Sequence, residues 1–401
     1  MNLIRKLYCR AFQKALYIAY PFLPYREPAT IDGKTAGIPA VLIKEEANHP
    51  MIVTDRGIVS NGLLAPLEAA LEGDDISYTL FSDVIANPTT ESIEKALAIY
   101  RSEHCDSIIA LGGGSSMDTA KAIGARIAQP WMSLKAMKGI LRVWKRIPLL
   151  IAIPTTAGTG SEATLAAVVV DSETRHKYAI NSFPLIPRYA VLDPQYTYSL
   201  PKQLTATTGL DALTHAIEAY IGRSSYRKTR MEAKAAVRLI FQNLVSAYDN
   251  GSDEKARAGM LRASYLAGCA FTRSYVGYVH AAAHALGGKY NTPHGLANAV
   301  ILPYVLESYG SRVEGKLKKL AIAAGLADEL TDEKEAASDF INGIRNLCRR
   351  LSIPEYIDAI KEEDIKELSE TAEKEANPLY PVPVLWSREQ IAAVFREVMG
   401  Q

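Results

Sequence analysis

The feature that most constrains this chain is a junction at residues 107–123. The apolar run Ser107 to Leu111 passes directly into Gly112-Gly113-Gly114-Ser115-Ser116-Met117-Asp118, and then into Thr119-Ala120-Lys121-Ala122-Ile123, which has helical texture. A buried strand that turns through glycines into a helix presents free backbone N–H groups at the positive end of a helix dipole, which is a place for a phosphate. The loop is neither G-x-G-x-x-G nor a Walker A sequence, since no Gly-Lys-Ser/Thr follows. A tight turn without a ligand uses the same residues, so the neighbours must decide.

Those neighbours alternate. Met51 to Thr54 is a short apolar run, Ile58 to Leu71 a helical stretch, Ile76 to Phe81 a run and Ser92 to His104 a helical stretch. This order predicts a doubly wound, mostly parallel, Rossmann-like sheet. Downstream, a basic segment from Trp131 to Arg146 reads as helix, and Leu149 to Ile153 as strand. Ala166 to Asn181 reads as a hairpin split by Asp171-Ser172-Glu173-Thr174, and Tyr189 to Leu192 as a last short run. Beyond Pro201 come long helical windows rich in Ala, Leu, Arg and Glu. The expected organisation is an amphipathic extension over 1–25, an α/β dinucleotide-binding domain over 26–200 and an all-α domain over 201–401.

A second turn, Pro154-Thr155-Thr156-Ala157-Gly158-Thr159-Gly160-Ser161-Glu162, follows another strand and supplies hydroxyls and N–H groups at the same sheet edge. Two such loops fit one long ligand, a dinucleotide outside the carboxyl ends of the strands. Asp55, ending the first strand, is placed to accept ribose hydroxyls, and its charge would repel the 2′-phosphate of NADP. NAD is therefore favoured over NADP, although the adjoining Arg56 is a residue type that holds such a phosphate.

Composition narrows the function classes. With 45 Lys and Arg against 44 Asp and Glu, the net charge of +1 gives no global field for nucleic acid or an anionic membrane. Cys9, Cys105, Cys269 and Cys348 form no C-x-x-C pair, so a reducing cytoplasm is the simplest setting. In residues 1–25, Ile4, Tyr8, Phe12, Ala15 and Ala19 fall at near-helical spacing among Arg5, Lys6, Arg10 and Lys14. The longest uncharged run, from Ala15 to Tyr25, is about half of what a spanning helix needs. Such a helix would dock on the protein's own surface, a dimer mate, a shell or a membrane surface.

The helical half carries the chemistry. Asp211 and His215 lie one turn apart, as do His280 and His284, and His294 follows in Pro293-His294-Gly295 after an expected turn at Gly287-Gly288. Four of the seven histidines fall in these short segments. A lone histidine is usually a hydrogen-bonded core residue, but imidazoles clustered with a carboxylate suit iron(II) or zinc over magnesium or calcium. Such an ion keeps positive charge to act as a Lewis acid on an alcohol or carbonyl oxygen. Spacing alone does not say which histidines bind.

From about Met51 onward the chain resembles the iron-containing (group III) alcohol dehydrogenases, which include lactaldehyde and propanediol oxidoreductases. Ala190-Val191-Leu192-Asp193, Pro201 and Thr208-Gly209-Leu210-Asp211-Ala212-Leu213-Thr214-His215-Ala216-Ile217-Glu218 look like one family signature. Gly277-Tyr278-Val279-His280-Ala281-Ala282-Ala283-His284-Ala285-Leu286-Gly287-Gly288, running on to Asn291-Thr292-Pro293-His294-Gly295, looks like a second. The resemblance implies that Asp211, His215, His280 and His294 hold the metal, with His284 beside substrate and nicotinamide. It implies a cofactor site of Asp55, Asn87, Gly112, Gly113, Gly114, Ser115, Ser116, Asp118, Thr155, Thr156, the turn through Thr159, and Lys177.

It also implies small alcohol and aldehyde substrates and a homodimer or larger even assembly. The expected activity is hydride transfer between an alcohol and NAD, with His284 as proton relay. The alternatives are a glycerol-dehydrogenase-like or dehydroquinate-synthase-like zinc enzyme, and a catalytically silent NAD-binding or shell-associated component.

Overall fold

The computed structural model describes Met1 and residues 3–400. It opens with helix α1 (Leu3–Ala19) and divides into two units, one of Pro24–Ser199 and one of Met1–Leu23 with Leu200–Gln401. The first 23 residues thus group with the helical half.

The α/β unit is built on nine strands: β1 (Ala29–Thr30), β2 (Pro50–Val53), β3 (Thr79–Phe81), β4 (Ser107–Gly112), β5 (Gly139–Ile140), β6 (Leu149–Pro154), β7 (Ala166–Val170), β8 (Lys177–Asn181) and β9 (Tyr189–Ala190). Six form a sheet in the order β1-β9-β6-β4-β2-β3, with every pairing parallel. Every residue of β2 and β4 is buried, which is why these strands read as continuous apolar runs rather than alternations. Successive residues serve opposite faces. Met51, Val53, Ile108 and Ala110 pack with Ile93, Leu97, Met117 and Ile123, whereas Ile52, Ile109 and Leu111 pack with Ile38, Leu42, Leu67 and Leu71. Helices therefore cover both sides, as a doubly wound sheet requires. The chain runs from β2 out to the edge at β3 and returns to β4 on the other side of β2, so the topological switch point lies between the carboxyl ends of β2 and β4.

Several boundaries differ from expectation. The stretch Ile58 to Leu71 is split after α2 (Ile38–Lys44) into α3 (Arg56–Ser60) and α4 (Ala65–Glu72). The break falls at Asn61-Gly62, where Leu63 N–H reaches back to the Ile58 carbonyl. The run from Ile76 is strand only from Thr79. Between α5 (Thr90–Ser102), α6 (Gly114–Ala128) and β6, the segment Trp131 to Arg146 is not helical. The Gln129 side chain satisfies its backbone instead, accepting from Trp144 and Lys145 N–H and donating to the Arg142 carbonyl, while β5 pairs with β8. Sequence periodicity does not register a side chain that replaces a helical ladder. The expected hairpin is present as antiparallel β7 and β8.

The helical unit comprises α1 with α7 (Lys202–Ile221), α8 (Arg227–Asp249), α9 (Glu254–Ser274), α10 (Tyr278–Tyr290), α11 (His294–Tyr309), α12 (Glu314–Ala324), α13 (Glu333–Arg350), α14 (Ile365–Ala376) and α15 (Arg388–Met399). Helix α7 is buried almost continuously from Thr205 to Ile221, which makes it the central rod of this unit. Helix α10 runs through Gly287 and Gly288, and the expected turn comes later, at Asn291.

One buried cation ties the glycine junction to the threonine turn. Lys121, fully buried on α6, donates to the carbonyls of Ser161, Thr164 and Ala166 and to the hydroxyls of Ser161 and Thr164, all at 2.7–3.1 Å. Burial pushes its pKa down, and the nearby Asp118 and Glu162 carboxyls push the other way. Lys121→Met would fill the space but strand these acceptors, at a cost of about 3 kcal/mol. A lower thermal midpoint and faster proteolysis within residues 154–166 are expected; an unchanged midpoint would show that the ammonium is dispensable.

Candidate metal centre and cofactor platform

Three helices each bring a pair of side chains to one point. Helix α7 carries Asp211 and His215 at i and i+4 with Glu218 one turn further, α10 carries His280 and His284, and α11 begins with His294 and carries Asn298. One ligand atom from each of Asp211, His215, His280 and His294 lies within 4.8 Å of the others. Asp211 Oδ1 stands 3.4 Å from His294 Nε2 and 3.8 Å from His280 Nε2, and Asp211 Oδ2 stands 4.0 Å from His215 Nδ1. A tetrahedral ion with bonds of about 2.0–2.2 Å sets its ligand atoms roughly 3.4 Å apart, so small side-chain shifts suffice to close on one.

The donor chemistry also fits. His280 Nε2 is buried and has no hydrogen-bond partner among the described residues, the arrangement expected of a lone pair reserved for a metal. Its other nitrogen, Nδ1, lies 2.6 Å from Glu218 Oε2. Glu218 is buried and its oxygens accept from Gly277 N–H at 2.7 Å and Val279 N–H at 2.8 Å, so the imidazole proton belongs on Nδ1 and the lone pair on Nε2. Burial, with the crowding of His215 and His294, holds the His280 pKa well below its usual value, which keeps the ring neutral. Burial raises the Glu218 pKa to about 7 against the lowering effect of the N–H donors.

Burial would also raise the Asp211 pKa, but the His215, His294 and His280 imidazoles outweigh it and hold the carboxyl far below the ordinary range. Asn298 Nδ2 donates to Asp211 Oδ1 at 2.7 Å and fixes that carboxylate. Gly277 has a steric reason to be glycine, since a Cβ there would lie 2.6 Å from Glu218 Oε1.

His284 stands apart from the four. Its ring stacks on His294 with centroids 5.0 Å apart, its side chain is 43% exposed, and its Nδ1 lies 2.6 Å from Glu375 Oε1. The same oxygen accepts from the Tyr380 hydroxyl at 2.7 Å. Burial raises the Glu375 pKa, but the His284 ring and the hydrogen bonds from His284 and Tyr380 win and leave it lowered. The other face of the cluster is closed by Phe271, stacked on His215 at 4.1 Å.

In the α/β unit, the carboxyl ends of β2, β4 and β6 lie side by side and carry Asp55, the Gly112 to Ser116 loop and the Thr155 to Thr159 turn. Thr155 N–H donates to the Gly112 carbonyl, and Gly113 and Gly114 abut the Thr156 and Thr159 side chains. Gly112 sits at φ +149°, and a Cβ there would lie 2.3 Å from Ser116 Oγ, so only glycine fits. Asp55 Oδ1 caps α3 through Ile58 N–H. Asn87 and Lys177, 90 residues apart, meet with Nζ 2.7 Å from Asn87 Oδ1. Asp118 on α6 lies by Ser161, with burial raising its pKa against the opposing pull of Lys121.

Glu218, Asn298, Glu375 and Tyr380 were not assigned from sequence. Glu218 and Asn298 had a readable signal, each lying one helical turn beyond a histidine of the cluster. Glu375 and Tyr380 lie about ninety residues from His284 and had none.

The descriptions of two family patterns match the chain, "Iron-containing alcohol dehydrogenase" over residues 32–194 and "Fe-containing alcohol dehydrogenase family, C-terminal" over residues 205–399. Alcohol dehydrogenase 4 of Schizosaccharomyces pombe is 38% identical over 360 residues, covering 88% of this chain and 82% of its own length. The crystal structure of a 1,3-propanediol oxidoreductase superposes with a TM-score of 0.89 at 34% identity, covering 93% of this chain and 99% of its own. Sulfoacetaldehyde reductase from Bifidobacterium kashiwanohense, solved in complex with NAD+, superposes with a TM-score of 0.83 at 28% identity, covering 94% and 98%. With both halves matched and the S. pombe enzyme alike over most of its length, the chain belongs to the iron-containing alcohol dehydrogenase family.

Proposed function

We propose that the protein is a metal-dependent, NAD-linked alcohol dehydrogenase that interconverts small primary alcohols or diols with their aldehydes. Asp211, His215, His280 and His294 would hold iron(II), with zinc as the alternative ion. The observation that carries this reading is the buried His280 Nε2, turned by Glu218 toward a carboxylate and two further imidazoles. When bound, the ion supplies a Lewis acid for an alcohol or carbonyl oxygen and NAD supplies the hydride acceptor.

The protein's own groups do the rest. Asp211 offsets part of the ion's charge and Asn298 keeps it aimed. Phe271 shields one side of the cluster, while His294 and His284, with side chains 40% and 43% exposed, leave the other side open to a substrate. His284 Nδ1 is engaged by Glu375, so Nε2 is the atom that takes up the substrate hydroxyl proton or returns it to an aldehyde oxygen. The Gly112 to Ser116 loop offers N–H groups to the pyrophosphate, with Thr155, Thr156 and Thr159 beside it. Asp118, Asn87 and Lys177 line the same platform. Asp55 keeps Oδ2 for the adenosine ribose. Arg56 is paired with Asp83 at 2.8 Å, which withdraws the cation that would favour NADP. The propanediol and alcohol dehydrogenase likenesses support small alcohols as substrates.

Three experiments test this. Metal stripped anaerobically and replaced by iron(II) or zinc should restore NADH formation with a panel of primary alcohols and diols, and His280→Ala should retain neither metal nor activity. Turnover of dehydroquinate-type sugar phosphates with none of any alcohol would sink the reading.

His284→Ala should lower kcat by about a hundredfold, within the usual range for a proton-transfer group, while metal content stays at the wild-type level. Unchanged turnover would remove the relay. Asp55→Ser preserves the cap on α3 but removes the charge, and should raise the NADP-to-NAD ratio of kcat/KM about tenfold or more. A constant ratio would show that Asp55 does not read the ribose.

A further inference from the structure

Helix α1 is turned inside out. A surface helix normally directs its apolar stripe at the body of the protein. The residues that α1 buries are Cys9 and Gln13. Gln13 Nε2 donates to the Pro378 and Tyr380 carbonyls, and Arg10 to the Val382 and Pro383 carbonyls, so its attachment is largely polar. Nine residues make about two and a half helical turns, which places Ile18 opposite Cys9 and Ile4 opposite Gln13. Around them the outward side carries Leu3, Leu7, Tyr8, Ala11 and Ala15, with Phe22 just beyond the helix. Leu3, Ile4, Leu7, Tyr8, Ile18 and Phe22 are exposed by 58–85%. Such a contiguous apolar stripe on a protein's surface calls for an occupant.

Charge selects the occupant. The chain as a whole is balanced, yet its first acidic residue is Glu27, and Arg5, Lys6, Arg10, Lys14 and Arg26 precede it. Arg5 is paired with Glu373 and Arg10 is used on carbonyls, both toward the body, while exposed Lys14 falls on the outward side between Leu3 and Leu7, and exposed Lys6 falls on the flank between Gln13 and Arg10. At the other end of α1, Tyr17 and Tyr20 stack on Tyr226 at 4.4 and 5.2 Å. Tyr226 opens into the exposed cations Arg227, Lys228 and Arg230 of α8. Two copies of α1 facing each other would bring together two cationic helices with no acidic residue on either. No helix among the described residues is long and apolar enough to cross a membrane.

We propose that the outward face of α1 lies in the surface of an anionic lipid bilayer, with Ile4, Leu7, Tyr8, Ile18 and Phe22 at the acyl boundary and the flanking cations among the headgroups. A helix of this length lies along the interface for about 26 Å and leaves the rest of the chain in water. The attachment depends jointly on apolar burial and on anionic lipid, and salt weakens it.

The full-length protein should float with vesicles of equal parts phosphatidylcholine and phosphatidylglycerol, and far less with phosphatidylcholine alone. Raising the salt should release it. The double variant Ile4→Glu/Ile18→Glu changes two exposed positions and should keep alcohol-dependent NADH formation in detergent-free buffer, with vesicle partitioning lowered about tenfold or more. Wild-type protein that ignores anionic vesicles, or that binds neutral and anionic vesicles alike, would overturn the proposal. So would a double variant that floats as well as wild type. A double variant that loses an oligomeric state, by light scattering, with no vesicle binding in the wild type, would assign the face to a second copy or another protein instead.

Discussion

The hydrogen bonds of Glu218 hold the helical unit and its candidate site together. Helix α10 starts at Gly277 without any side-chain cap of its own, so its first N–H groups need acceptors from elsewhere. The carboxylate of Glu218, reaching across from α7, takes the N–H groups of Gly277 and Val279 and, with the same two oxygens, the Nδ1–H of His280. Negative charge at a helix N-terminus is stabilised by the helix dipole, and the same charge makes the imidazole a better base at Nε2. One carboxylate therefore starts the helix and aims the imidazole on it. Docking α10 onto α7 and assembling the candidate metal site are the same event.

Helix α11 repeats the logic with weaker groups. His294 stands at its first position after Pro293, where the free N–H groups and the exposed helix end permit 40% exposure of the side chain. Asn298, one turn on and fully buried, ties Asp211 of α7 to this helix. Helices α7 and α11 thus each bring a candidate ligand together with a residue that holds a candidate ligand on a neighbouring helix, Glu218 for His280 and Asn298 for Asp211. In the α/β unit the corresponding economy lies in Lys121. The helix that begins at the glycine loop carries the ammonium that organises the facing threonine turn.

What the sequence disclosed follows from the range of the interactions involved. The parallel sheet was legible because strands buried on both faces leave unbroken apolar runs, and the glycine junction because the φ of Gly112 admits no other residue. The pairs Asp211 with His215 and His280 with His284 were legible because helical spacing is local. Spacing did not tell His284 from the other three histidines; in the structure its Nδ1 meets Glu375, which lies 91 residues away in sequence, and it lies outside the cluster of four. The segment Trp131 to Arg146 was misread for a related reason. Its backbone is satisfied by the side chain of Gln129 and by pairing of β5 with β8, and neither leaves a period in the sequence. The outward apolar face of α1 was visible as amphipathicity, but which side faced the body depended on carbonyls near residue 380.

Metal at the candidate site would add stability that the polypeptide does not supply alone. Without an ion, a buried carboxylate and three imidazoles crowd together, and a buried nitrogen of His280 lacks a partner among the described residues. Leaving a buried polar atom unsatisfied costs about 1–3 kcal/mol, so the three helices converge at some expense to the apoprotein. An ion that binds the folded chain and not the unfolded one repays this by mass action, contributing about 2.7 kcal/mol when its free concentration is a hundred times its dissociation constant. The pre-set tautomer of His280 and the fixed carboxylate of Asp211 would lower the ordering cost of such binding. The unpartnered nitrogen of His280 and the held carboxylate of Asp211 would be the cost to the apoprotein and the advantage to the bound state alike, and both trace to the same buried hydrogen bonds of Glu218 and Asn298.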